Sequence, residues 1–139
     1  MGIRGFALIA AVALSGPALA GDEPGHRATY GCITFEVYCA ACHGYSGKGD
    51  GTMAQRLRTP AADLTTMSLN NGGVFPAERV RATIAGGAAT PPHDAAMPAW
   101  GPRFLIDFQR WTFDTREDDR ALLERRIGDL VAFLATIQQ

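Results

Sequence analysis

Apolar positions along the chain change their spacing, and each change predicts a different kind of element. From Phe6 to Leu14 the apolar run is unbroken. Arg4 precedes it, and small residues ending Ala18-Leu19-Ala20 follow, the layout of a secretion signal cleaved after Ala20. The run is shorter than the ~20 residues that span a bilayer. Residues 1–20 are therefore expected as a cleaved signal peptide and residues 21–139 as one exported domain without a membrane span.

Beyond a polar lead-in at 21–28, the spacing becomes periodic. Tyr30, Ile33, Val37 and Tyr38 recur at roughly helical intervals, with Phe35 on another face, predicting a helix from about Ala28 to a cysteine pair. Residues 53–69 read as short helical turns with Leu57, Leu64, Met67 and Leu69 turned inward, and Asn70-Asn71-Gly72-Gly73 reads as a loop. A helix is expected from Pro76 to Ala85, with Val80 and Ile84 on one face and Gly86 as its C-terminal cap. Residues 87–101, rich in Pro and Ala, read as irregular. Residues 102–114 read as a connector, unusually aromatic, with Phe104, Phe108, Trp111 and Phe113 beside Leu105 and Ile106. The last element is the clearest. Leu123, Ile127, Leu130, Leu134 and Ile137 make one apolar stripe in a helix from about Thr115 to Ile137, and Thr115 with Asp118 resembles a capping box. No stretch alternates as a strand does, so the fold class expected is all-α.

Charge removes some partners from consideration. The chain has 13 basic and 14 acidic residues, and loss of Arg4 with the signal leaves 12 against 14, a net charge near −2. That does not suit nucleic acid, which needs a basic patch. Lys48 is the only lysine, so a lysine ring for docking acidic proteins cannot form.

The chemistry is concentrated in Cys39-Ala40-Ala41-Cys42-His43. C-x-x-C-H is the attachment pentad of a c-type haem. Two thiols add across the two vinyl groups of the ring, and the histidine that follows binds iron as proximal ligand. A zinc site needs further ligands at metal spacing, and Cys32, His26 and His93 form no second pair. A redox dithiol would want a βαβ setting, which the pattern lacks. Gly44 to Gly51 holds four glycines in eight residues, but Gly49 after Lys48 breaks the phosphate-loop pattern. It reads instead as a loop folded closely past a haem edge. Cys32 lies two helical turns before Cys39, about 10 Å along an axis, too far for a disulfide. It is expected as a small buried hydrophobe rather than an intermolecular bridge.

A second axial ligand must come from elsewhere, and the candidates are Met53, Met67, Met97, His26 and His93. Pro98 holds Met97 extended and out of a helix, which presents its thioether. Met97 is favoured, with His93 as runner-up. Met53 and Met67 read as core filler, and His26 as a solvated tail residue.

These segments together resemble the class I cytochromes c of the bacterial periplasm. The resemblance rests on Tyr38-Cys39-Ala40-Ala41-Cys42-His43-Gly44, Gly47-Lys48-Gly49-Asp50-Gly51, Ile84-Ala85-Gly86-Gly87, Met97-Pro98-Ala99-Trp100-Gly101 and the amphipathic stretch Ile127 to Leu134. It implies a single cytochrome c-like domain of short helices wrapped around one covalent haem c. It implies that Gly31 and Phe35 meet the last helix near Phe133. Cys39 and Cys42 are then the covalent sites, and His43 and Met97 the iron ligands. The function expected is one-electron transfer in the periplasm, without enzymatic activity of its own. Partners would be redox proteins such as a periplasmic dehydrogenase or a terminal reductase or oxidase. Two alternatives stand beside it: an electron-accepting subunit of such a complex, and a haem enzyme or gas-binding module with an open sixth site. The 102–114 stretch departs from the pattern, and either packs over the core or forms a docking surface.

Overall fold

In the computed structural model of the chain, residues 24–86, 97–111 and 118–139 are described, and every regular element among them is helical. Five α-helices follow in order: α1 Pro24–Tyr38, α2 Ala40–His43, α3 Ala77–Ala85, α4 Trp100–Trp111 and α5 Asp119–Thr136. Short 3-10 turns at Ala54–Arg56, Leu64–Thr66 and Leu69–Asn71 lie between α2 and α3. No helix among the described residues is long and apolar enough to cross a membrane. The expected signal peptide, His93 and Thr115 lie outside the described residues.

The chain is organised by the pairing of α1 with α5. The α5 stripe behaves as its spacing predicts, with Ile127, Leu130 and Leu134 buried. Asp118 caps the helix, its carboxylate accepting from the Arg120 amide at 3.0 Å. Where α1 crosses, a Cβ on Gly31 would collide with the Asp129 carbonyl and with Phe133. One turn on, the Phe35 and Phe133 rings pack with centroids 5.2 Å apart. Arg27 reaches the buried Asp129 at 3.1 Å, and the bare Cα of Gly128 leaves room for its guanidinium. A charge so placed is tolerated because it is paired.

This crossing corrects the expected orientation of α1. The helix begins at Pro24 rather than near Ala28, and its inward face is Gly31, Thr34 and Phe35 with Tyr38. Tyr30, Ile33 and Val37 are 61%, 54% and 66% exposed. They repeat at helical spacing, but on a face turned away from α5. The inward face carries a glycine and a threonine, so hydrophobicity understates it.

A Gly31→Ala substitution tests the crossing. Alanine should gain up to about 1 kcal/mol in helix propensity. The backbone collision should outweigh that, leaving a net loss of about 1–3 kcal/mol, as in other overpacked contacts. Denaturant unfolding measures it, and a raised midpoint would show that the helices are not in close contact here.

The C-terminal half differs from expectation in two places. Residues 100–111 form a helix, not an irregular connector. Phe104 is wholly buried, so that residue packs in the core, whereas Ile106 is 56% exposed. Leu69 is exposed rather than inward. Met67 takes the inward position, and residues two apart on a helical turn do not share a face.

The helix α3 agrees with its signals. Val80 and Ile84 are buried, and Gly86 caps the end at φ 84°. A Cβ on Gly86 would strike Ala99, and Gly101 lies against the Ala85 carbonyl. The end of α3 and the start of α4 are thus seated on one another. Gln138 closes the fold: its side-chain amide donates to the Leu64 and Leu134 carbonyls, both at 2.8 Å, and accepts from the Ser68 amide at 2.9 Å.

Candidate functional site

The pentad begins where α1 ends. Cys39 sits in the turn after Tyr38, and the Cys42 and His43 amides bond back to its carbonyl at 3.1 and 2.9 Å. One helical turn separates the two cysteines, which places both thiols on one side. The alanines between them have a different task. A Cβ on Gly51 would collide with the Ala40 and Ala41 carbonyls, so the glycine-rich loop lies directly on the back of the pentad. Met53, Gly51 and Gly49 donate to the carbonyls of Ala41, Cys42 and His43 at 2.7, 3.2 and 2.7 Å. The loop was expected to pass a ligand edge. It instead braces the pentad from behind, and residues 44–51 do not line the cavity described next.

That cavity has a volume of about 550 Å³, within the size range of small-molecule and cofactor pockets. Cys39, Cys42, His43 and Met97 all line it. Its remaining walls are chiefly apolar, with Leu57, Leu64, Val80, Ile84, Leu130 and Leu134 among them. Arg79 and Asp63 are the oppositely charged side chains at its lining.

The four residues singled out from the sequence therefore converge. Two other expectations change. Met67, read as core filler, packs against the core and also lines the cavity. Met53 is exposed and does not line it. Tyr38, Trp100 and Arg79 line it as well; Tyr38 and Trp100 stand in the segments flanking Cys39 and Met97, and Arg79 carries no spacing signal that would find it.

His43 is oriented by the segment opposite. Its Nδ1 lies 3.0 Å from the Ala62 carbonyl. A carbonyl only accepts, so the proton is on Nδ1 and the lone pair on Nε2, the tautomer a metal ligand needs. The next residue fixes that segment. Asp63 accepts from the Thr65 amide and hydroxyl at 2.8 and 2.6 Å, and these bonds hold its carboxyl below the usual carboxylate range. A depressed carboxyl contributes stability above its unfolded value of about 3.9, and loses it as pH falls through the folded value. Acid should therefore loosen this wall, and Asp63→Asn should blunt the effect. Near-ultraviolet circular dichroism from pH 5 to pH 2 measures it.

Burial pushes the Cys39 thiol up to about 12, with the neighbouring Cys42 adding to the shift. A dithiol that exchanges disulfides needs the opposite shift, so the redox-motif reading loses support. Cys32 is half-exposed rather than buried, its thiol 3.7 Å from Glu36. Burial and the adjacent carboxylate raise it too.

The arrangement can hold a flat apolar group between the α1–α2 corner and the Met97 segment. Two thiols, one imidazole and two thioethers are available to it. Among the described residues, no group of three or more His, Cys, Asp or Glu side chains could hold a metal ion. Scans against protein-family models, curated proteins and solved structures find no match for this chain.

Proposed function

We propose that this chain is a periplasmic one-electron carrier, a mono-haem c-type cytochrome resembling class I. The observation that carries the reading is the convergence of Cys39, Cys42, His43 and Met97 on one apolar cavity. Among the described residues no three His, Cys, Asp or Glu side chains are grouped to hold a bare ion, so His43 and Met97 suit a metal that arrives in a macrocycle of its own. The two thiols of C-x-x-C would tether such a ring, and Arg79 supplies a guanidinium suited to a propionate. When bound, a haem supplies an iron that cycles between ferrous and ferric states, with sulfur ligation favouring the ferrous form.

The chain's own part is to position and to exclude water. His43, steered by Ala62, offers Nε2 to the iron. Met97 is preferred over Met67 because Met67 packs against buried core residues, whereas Met97 stands in the coil ahead of α4, made extended by Pro98. With His43 and Met97 both holding the iron of a bound haem, no site would remain for substrate, which is why the reading is a carrier and not an enzyme. Residues 1–20 would direct export and be removed, with haem c joined outside the cytoplasm.

Export of the full chain in a host that matures c-type cytochromes tests the reading. The protein should carry one haem that survives denaturing electrophoresis and titrates with one electron. A colourless exported protein overturns it. A second reading, an electron-accepting subunit of a periplasmic dehydrogenase or reductase complex, is favoured by the exposed row Tyr30, Ile33 and Val37. Co-purification of a stoichiometric partner from the native periplasm would favour it over the free carrier.

A further inference from the structure

We propose that Tyr38, Asp107 and Arg126 are positioning residues that clamp α4 to the end of α1 and thereby hold Met97 at the cavity. The inference rests on Met97 as the sulfur ligand and concerns what keeps it in place.

The contacts run between three helices. The Tyr38 hydroxyl donates to the Asp107 carboxylate at 2.8 Å, joining residues 69 positions apart. From α5, the Arg126 guanidinium lies 5.7 Å from the Tyr38 ring centre and 5.1 Å from that of Phe104. The Tyr38 ring meets Phe104 and Trp100 edge-on, at 5.2 and 5.4 Å. Tyr38 immediately precedes Cys39, and Trp100, the first residue of α4, stands three residues after Met97. One side chain thus connects the attachment end of the site to its ligand end.

A phenylalanine at position 38 would fill the same space. The hydroxyl adds a bond of fixed length and direction to a carboxylate that a core-facing helix would otherwise lack. Apolar packing alone lets a helix slip or rotate at little cost, whereas a polar pair admits one register. Each residue of slippage turns a helix by about 100°, enough to withdraw Met97. The far end of the Met97 segment is seated independently, where Ala99 and Gly101 lie against Gly86 and Ala85. Those contacts hold the first residues of α4, and the clamp adds a second point of attachment at Asp107, farther along the same helix. Burial and the Asp107 contact raise the Tyr38 phenol, with Arg126 opposing, so the hydroxyl keeps its proton at neutral pH.

The test uses the haem-loaded protein with Tyr38→Phe, Asp107→Leu, Asp107→Asn and the Tyr38→Phe/Asp107→Leu double variant. Three readouts are taken: the far-red sulfur–iron band of the ferric form, imidazole binding, and hydrogen exchange over residues 97–104. Tyr38→Phe and Asp107→Leu should keep covalent haem and helix content. Both should weaken the band, bind imidazole about tenfold tighter, and exchange faster over 97–104 but not over 127–134. Asp107→Asn, still an acceptor, should stay near wild type. The double variant should be no worse than either single one, because both remove one interaction.

Unchanged imidazole affinity and exchange in the single variants overturns the clamp, as do losses that add in the double variant. Failure of Tyr38→Phe to fold also overturns it, since a positioning bond leaves the fold standing. A wild-type protein with no sulfur–iron band sinks the Met97 ligation instead. The exchange rates over 97–104 then decide the clamp alone, faster exchange in Tyr38→Phe upholding it and unchanged exchange overturning it.

Discussion

Replacing Cys39 and Cys42 together with Ala is expected to abolish covalent haem and leave the chain largely unfolded. Each thiol would supply one thioether, so neither could stand in for both. The structural effect follows from the size of the cavity they line. Left unfilled, that cavity of about 550 Å³ exposes the apolar side chains of Leu57, Leu64, Val80, Ile84, Leu130 and Leu134 to water, and exposed apolar surface costs about 25 cal/mol per Å². Small domains have only about 5–15 kcal/mol of stability altogether. A chain of this length cannot offset that from the remaining core, in which Phe35, Phe104, Ile127 and Leu130 are the largest fully buried side chains. Haem-stained denaturing gels and far-ultraviolet circular dichroism measure the two effects. Haem still attached to the double variant would refute the attachment site.

Met97→Ala should change the iron without unfolding the protein. In the ferric wild type, sulfur on iron should give a weak far-red charge-transfer band. The variant should lose that band, show a lower potential because the ferrous state loses its soft donor, and bind carbon monoxide when reduced. Met67→Ala is the necessary comparison, because Met67 also lines the cavity. It should retain band and potential and lose stability instead, by about 1–2 kcal/mol for a partly buried methionine. His93→Ala should leave the band, the potential and the stability unchanged. If Met67→Ala or His93→Ala removes the band while Met97→Ala keeps it, the ligand assignment moves to that residue and the carrier survives. Rapid carbon monoxide binding by the reduced wild type would favour the open-site alternative.

Much of the fold was legible, for reasons that differ by element. The α5 stripe and the Val80–Ile84 face of α3 are long, periodic and buried, so spacing alone located them. The pentad carries its chemistry in residue identity and needs no structural context to be noticed. The apolar spacing of α1 marks its exposed face, because the contact face is built around Gly31, whose value is a missing side chain. The meeting of Gly31 and Phe35 with Phe133, which the structure bears out, is implied by the resemblance and not by spacing. Helix α4 is hidden because the Pro- and Ala-rich 87–101 reads as irregular and 102–114 as a connector, although Pro102 falls in the first turn of the helix, where proline is well tolerated. Tyr38, Asp107 and Arg126 are far apart in sequence, and each alone reads as an ordinary amphipathic or charged residue. Only the packing of three helices makes them one cluster. Met67 was set aside because core and cavity are the same wall here, a distinction no spacing encodes.

The pairing of α1 with α5 has a consequence for the order of events in the cell. Arg27 and Asp129 are separated by 102 positions, so the contact that seats α1 closes nearly the whole domain. Bringing such distant segments together costs roughly 4 kcal/mol in chain entropy and makes folding slow. A chain delivered amino end first presents α1 and the pentad long before α5 exists to cover them. Through that interval Cys39 and Cys42 belong to an unpacked segment, and the arrival of Leu130 and Leu134 on the final helix completes the wall of the cavity that the two thiols line.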